Sequence, residues 1–168
     1  MKKIMLFSLL LILTNGFAFE KCTSLPGNCE IIFVDKPFYQ KKIFPLMDDN
    51  KLMDYHLYLS CSENDNSIYM MVIAKYPFEI NSDNEVQVLE SFLSGMLNNS
   101  DAKILVNSNL EKTDFNTNLH FLIKENERNF IANSFVHQNM LYLIALESEN
   151  ENFKESFENY FKTFHFTN

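Results

Sequence analysis

The sequence predicts an α+β domain, a single antiparallel β-sheet flanked by helices on both faces, behind a short export signal. Runs rich in β-branched, aromatic and aliphatic residues recur with short polar connections between them, and two segments carry apolar residues at helical spacing. Residues 140–146 are apolar on both faces of a strand. Such a strand belongs mid-sheet, covered on each side.

At the amino terminus Lys2 and Lys3 are followed by a short apolar run over residues 4–13. Gly16-Phe17-Ala18 then ends in the small residues that a signal peptidase reads. Cleavage is placed after Ala18. A membrane-spanning helix needs about 20 apolar residues and this run reaches roughly half of that, so an uncleaved anchor is the lesser alternative. Lipidation is disfavoured because Phe19, Glu20 and Lys21 precede Cys22 where a lipoprotein needs a small residue. The chain thus divides into a cleavable signal peptide (1–18), a cysteine-containing segment (19–29) and one α+β domain (30–168). The expected destination is the periplasm or the exterior, with no stable membrane anchor after cleavage.

Loss of Lys2 and Lys3, with no acid among the first 18 residues, takes the formal charge from −8 to −10. So acidic a chain repels phosphate backbones and anionic lipid, which disfavours nucleic acid as a partner. Only Gly27 and Gly95 remain after cleavage. The dinucleotide fingerprint, the phosphate loop and the nucleophile elbow all need glycine at sharp turns, and none can be written here. No cofactor is expected.

In chain order, residues 30–34 read as a short strand halted at Asp35-Lys36-Pro37, and residues 38–52 as mostly loop, broken by Pro45 and Asp48-Asp49-Asn50. Residues 54–62 and 68–76 form a hairpin across 63–67, ended by Pro77. Ser82 with Glu85 makes a capping box for a helix over 85–97, with Val86, Leu89, Leu93, Met96 and Leu97 at helical spacing. Strands follow at 102–110 and 118–124, joined by a polar connection, then a hairpin of 130–136 and 140–146 across His137-Gln138-Asn139. A second capping box, Ser148 with Glu151, opens a helix over 149–162. Its stripe of Phe153, Phe157, Tyr160, Phe161 and Phe164 docks it on the sheet.

In an exported chain Cys22, Cys29 and Cys61 can oxidise. A bridge from Cys22 to Cys29 across a turn-rich loop is the first expectation, a bridge from Cys61 to either the second, and three free thiols the third. Cys61 is in phase with Tyr55, Leu57 and Leu59, so it reads as a buried small hydrophobe. His56, His120, His137 and His165 lack the spacing of a zinc site and read as surface polar residues. Ser100 and Lys103 match S-x-x-K, but the pattern leaves a helix end for a strand, and no S-D-N or K-T-G accompanies it. The carboxylates Glu147, Glu149, Glu151, Glu155 and Glu158 lack the glycine and ligand alternation of a calcium loop and read as a solvated face. No catalytic, cofactor-binding or metal residue is assigned.

The carboxy-terminal half resembles a known family. A strand led by Arg128, a turn at 137–139, a strand with Tyr142 near its start, an acidic spacer, a helix from Phe153 through Phe161 and the closing Thr163-Phe164-His165-Phe166 are similar to the PsbP-like superfamily. That group includes the extrinsic PsbP subunit of photosystem II and exported bacterial domains; Thr163 stands where its closing strand has serine. With the earlier hairpin and helix in order, the likeness covers roughly residues 30–166. It implies a sheet sandwiched by helices, no catalytic residues, and a role in binding or assembly. The resulting expectation is a non-catalytic exported domain that binds a protein partner or assists assembly of an envelope complex, with its acidic surface as the contact. The alternative is a small exported enzyme or ligand-binding protein whose site is assembled from sequence-distant residues, which a deep pocket of converging titratable groups would reveal.

Overall fold

The computed structural model describes residues 19–45, 51–112 and 117–167. The export signal, the Asp48-Asp49-Asn50 turn and residues 113–116 of the polar connection lie outside the described residues. In chain order the elements are β1 (Glu20–Ser24), β2 (Cys29–Phe33), β3 (Phe38–Pro45), β4 (Leu52–Ser62), β5 (Ser67–Lys75) and α1 (Glu85–Leu97). They continue with β6 (Lys103–Lys112), β7 (Thr117–Glu125), β8 (Arg128–His137), β9 (Met140–Ser148), α2 (Phe153–Phe161) and β10 (His165–Phe166). A seven-stranded antiparallel sheet has the order β3-β4-β5-β9-β8-β7-β6, and a three-stranded one the order β1-β2-β10.

β9 occupies the centre of the large sheet and is apolar to both sides. Tyr142, Ile144 and Leu146 join Tyr69, Met71 and Ile73 on the face covered by α2 and the small sheet. Leu141, Leu143 and Ala145 join Val72 and Ala74 on the face where Val88, Leu89 and Leu93 of α1 pack. From α2, Phe153, Phe157 and Tyr160 are buried in the first cluster, with Phe161 and Phe164 partly buried beside them. Each large apolar side chain withdrawn from water contributes about 1.5–3 kcal/mol. The stripe is therefore what seats the helix.

The expected single sheet flanked by helices is overturned. The described residues are mostly strand, in two sheets, with only two short helices. Residues 38–45, read as loop, are a regular strand paired with β4 from Phe38↔Leu59 to Pro45↔Leu52. As an edge strand it is held by backbone pairing and buries little on either side, so it carries no alternation to read. The second sheet escapes the sequence for another reason: β10 pairs β2 across most of the chain, with His165 opposite Glu30.

Neither helix begins with its capping box. Asn84 and Asn152 stand at the N-cap positions without a side-chain cap bond. Asn84 Oδ1 accepts from the Asn81 N–H at 2.8 Å and Asn150 Oδ1 from the Asn152 N–H at 2.8 Å. These asparagine turns compete successfully with the serine caps. Ser148 is still paired with Ser67 at the end of β9, their hydroxyls 2.7 Å apart, which delays α2 to Phe153.

The small sheet is fastened to the large one by hydroxyls. Tyr58 donates to Ser24 Oγ at 2.9 Å and Tyr142 to the Gly27 carbonyl at 2.8 Å, both buried. A Cβ on Gly27 would overlap Ile73 Cδ1 and lie 3.2 Å from Tyr142 Cε1. Close approach, rather than an unusual backbone angle, demands glycine there. The three cysteines are free thiols, which corrects the expected bridge. Cys22 lies opposite Ile31 and Cys29 opposite Ser24, so the two are diagonal neighbours. Diagonal Cα atoms are about 7–8 Å apart, beyond the usual disulfide span of about 4.4–6.8 Å.

Candidate functional site

The residues singled out in the sequence are scattered. His56 is buried, its Nδ1 2.9 Å from the Tyr39 hydroxyl and its ring stacked with that of Tyr39. Burial, then the Lys41 ammonium, holds its imidazole below the usual histidine range. This corrects the surface reading of His56, and Cys61 is reversed in the opposite sense, being exposed. Both errors have one cause: the His56, Tyr58 and Ser60 side of β4 is the buried one, partnered by Tyr39, Ser24 and Asp35, while the side of Leu57, Leu59 and Cys61 is only partly covered. The polar side can be buried because its hydroxyls are satisfied; Ser60 Oγ donates to the Asp35 carbonyl and accepts from the Asp35 N–H, each at 3.1 Å.

His120 lies on β7 beside Glu111, His137 closes β8 with its ring stacked 3.8 Å from that of Phe166, and His165 on β10 meets Glu30 at 3.1 Å. Lys21 foremost, with Thr23 and His165, holds the Glu30 carboxyl below its ordinary range. Ser100 donates to Glu125 at 2.7 Å while Lys103 donates to the Met96 carbonyl at 3.1 Å, so the two members of S-x-x-K serve different partners. Burial pushes the Cys29 thiol up to about 12, which keeps it protonated and inert. Among the described residues no three His, Cys, Asp or Glu side chains gather as a metal site. Glu147 and Glu149 are both engaged by Arg128.

Apart from Phe19, Leu25, Ile32 and Phe78, the exposed large apolar side chains among the described residues lie along the edges of the large sheet. On one edge Phe38 is 61% exposed, Ile43 54% and Leu52 56%, with Tyr39 and Phe44 also open to solvent. On the other, Ile104 and Val106 are 64% and 53% exposed. The edges differ in regularity. β3 keeps an unbroken register, whereas β6 has a bulge between Leu105 and Asn107. Bulges twist a strand away from edge-to-edge pairing. Lys36, Lys41 and Lys42 also sit at the β3 edge, Lys41 tied to Asp54 at 2.9 Å. The sequence signal that could have found this site was the Phe38-Tyr39 pair at one end of residues 38–44 and Ile43-Phe44 at the other, which a loop has no packing reason to carry.

One cavity of about 280 Å³ lies between β2, the β4–β5 turn and α2, walled by Ile32, Val34, Tyr69 and Tyr160. Among the described residues Asp65 is the only charged side chain in its wall. The Tyr69 hydroxyl, pushed up to about 12 by burial and then by Asp65, donates to Asp65 Oδ2 at 3.3 Å. Asp65 Oδ1 and the Tyr160 hydroxyl are buried without partners. A buried polar group left so costs about 1–3 kcal/mol.

No family profile and no curated protein sequence matches this chain. Among solved structures, the solution structure of cyanobacterial PsbP (CyanoP) from Synechocystis sp. PCC 6803 is similar at a TM-score of 0.58 and 16% identity. The likeness covers 91% of this chain and 95% of that one. It agrees with the resemblance read over roughly residues 30–166. The chain has a PsbP-like fold.

Proposed function

We propose that the processed chain is an exported, non-catalytic accessory domain that captures a protein partner along the β3 edge of its large sheet. The observation that carries this reading is the set of Phe38, Tyr39, Ile43 and Phe44 held open to solvent on a regular edge strand, with Leu52 of β4 exposed opposite its end. Among the described residues β3 pairs on one side only, with β4, so its outer backbone donors and acceptors can receive an added strand. Phe38 and Phe44 lie on one face of the strand and Tyr39 and Ile43 on the other, so an added strand would find apolar anchors on both sides. Lys36 and Lys42 at the same edge favour an acidic partner segment over a basic one. Export is supported by the charge and apolar pattern of residues 1–18, and the accessory role by the likeness to PsbP.

The test is capture from the native envelope by the processed chain, read by mass spectrometry. A protein retained by the unaltered chain and lost by a folded Phe38→Asp, Phe44→Asp double variant supports the edge; retention by the double variant refutes it. Amino-terminal sequencing of the native protein should begin at Phe19, and recovery of intact Met1 would refute processing.

A further inference from the structure

We propose that the cavity between β2, the β4–β5 turn and α2 is a binding site for a primary ammonium carried on a small aromatic or aliphatic body. Two residues of the cavity wall carry buried polar atoms that are left without partners. Asp65 Oδ1 and the Tyr160 hydroxyl both lack partners, while Tyr160 is only 4% exposed and its ring is fixed edge-on against Tyr69 at 5.1 Å. The sign of the ligand's charge follows from the wall, where among the described residues Asp65 is the one charged group and no lysine, arginine or histidine appears. An ammonium offers Asp65 a charge-assisted hydrogen bond and can place a second donor on the Tyr160 oxygen. Its body fits the remaining surface, since Ile32, Val34 and the rings of Tyr69 and Tyr160 are apolar, and aromatic faces attract cations. A volume of about 280 Å³ lies just below the range of about 300–1,000 Å³ usual for ligand pockets, which limits the ligand to fragment size.

Two sources supply this chemistry. One is a free amine. The other is the chain itself, because Phe19 is part of the cavity wall, and processing after Ala18 would give that residue a primary ammonium. The second source rests on the export reading; the first does not.

The probe is 2-phenylethylammonium, titrated by nuclear magnetic resonance into the full chain, where Phe19 has no free amine, and into the chain processed to begin at Phe19. In the full chain it is expected to shift the amides of residues 62–69 and 156–163, and to lose affinity by about tenfold in Asp65→Asn and by severalfold in Tyr160→Phe. The neutral 2-phenylethanol should bind far more weakly. If the chain's own ammonium is the natural occupant, the processed chain takes up the probe less well and its α-amino group titrates higher than in its Asp65→Asn variant. If a free amine is, the two chains take up the probe equally. Shifts confined to other residues, equal binding of the alcohol, or indifference of both the probe and the α-amino group to Asp65→Asn with Tyr160→Phe also silent would overturn the proposal.

Discussion

The two edges of the seven-stranded sheet are finished differently. β6 exposes aliphatic residues around the polar stretch Asn107-Ser108-Asn109, and its register is broken by a bulge. β3 exposes aromatic residues at both ends of an unbroken eight-residue register. An edge strand is a hazard unless it is blunted, and a bulge is one of the means by which proteins blunt it. The difference shows that exposure alone does not mark a site. A regular edge with aromatic anchors offers both backbone pairing and side-chain burial, whereas a kinked one offers neither in register.

The largest expected effect separates those edges directly. Phe44→Asp should lower partner capture by tenfold or more, while Val106→Asp should leave it within about twofold, by the energies typical of aromatic interface anchors. Pull-down yields from matched, folded variants measure this, and equal loss at both edges would erase the distinction.

A second pair of changes contrasts edge with core. Phe157→Ala removes a buried ring from α2 and should cost about 3–5 kcal/mol, whereas Phe38→Ala should stay within about 0.5 kcal/mol. Denaturant unfolding reads both. A cost at Phe38 approaching that at Phe157 would mean that β3 is a structural strand rather than a presented one.

The core was legible where physics is local. Residues 140–146 announce a central strand because both faces are apolar, and the helical spacing of Val86, Leu89, Leu93, Met96 and Leu97 marks α1. The rest was hidden by interactions that no local pattern records. β3 gains pairing without burial, β10 finds its partner on β2 far away in sequence, and Asn81, Asn84 and Asn150 outcompete the serines that the capping rule favours. His56 was misplaced because the more polar side of β4 is the covered one, made tolerable by bonds from Tyr58 to Ser24 and between Ser60 and Asp35. The cavity joins Asp65 to Tyr160. Nothing in their spacing foretells it.

Gly27→Ala tests how tightly the small sheet is seated over the centre. The added methyl must displace Ile73 or Tyr142, both fully buried, and should cost about 1–3 kcal/mol. A neutral or stabilising result in thermal unfolding would show that the hairpin between β1 and β2 rests loosely on the sheet.

The smallest effect is a pH dependence confined to the β3 side. Burial lowers the His56 pKa below its ordinary 6.5, so the unfolded chain binds the proton more readily and stability rises with pH through this range. His56 therefore contributes stability that is present above about pH 6.5 and lost as the pH falls through its depressed folded value. Asp54 and Glu30, whose folded values are lowered from 3.8 and 4.5, lose their contributions only at lower pH. Unfolding between about pH 7 and pH 5 should show a slope that His56→Gln removes; a slope unchanged by that substitution would assign it elsewhere.

The most direct test of the account is site-specific photocrosslinking in the native envelope, with benzoylphenylalanine placed at Phe38 in one variant and at Val106 in another. Capture along the β3 edge requires one discrete protein adduct from position 38 and none of the same mass from position 106. An adduct from position 106 alone, or no adduct from position 38 in a folded and exported chain, would contradict it.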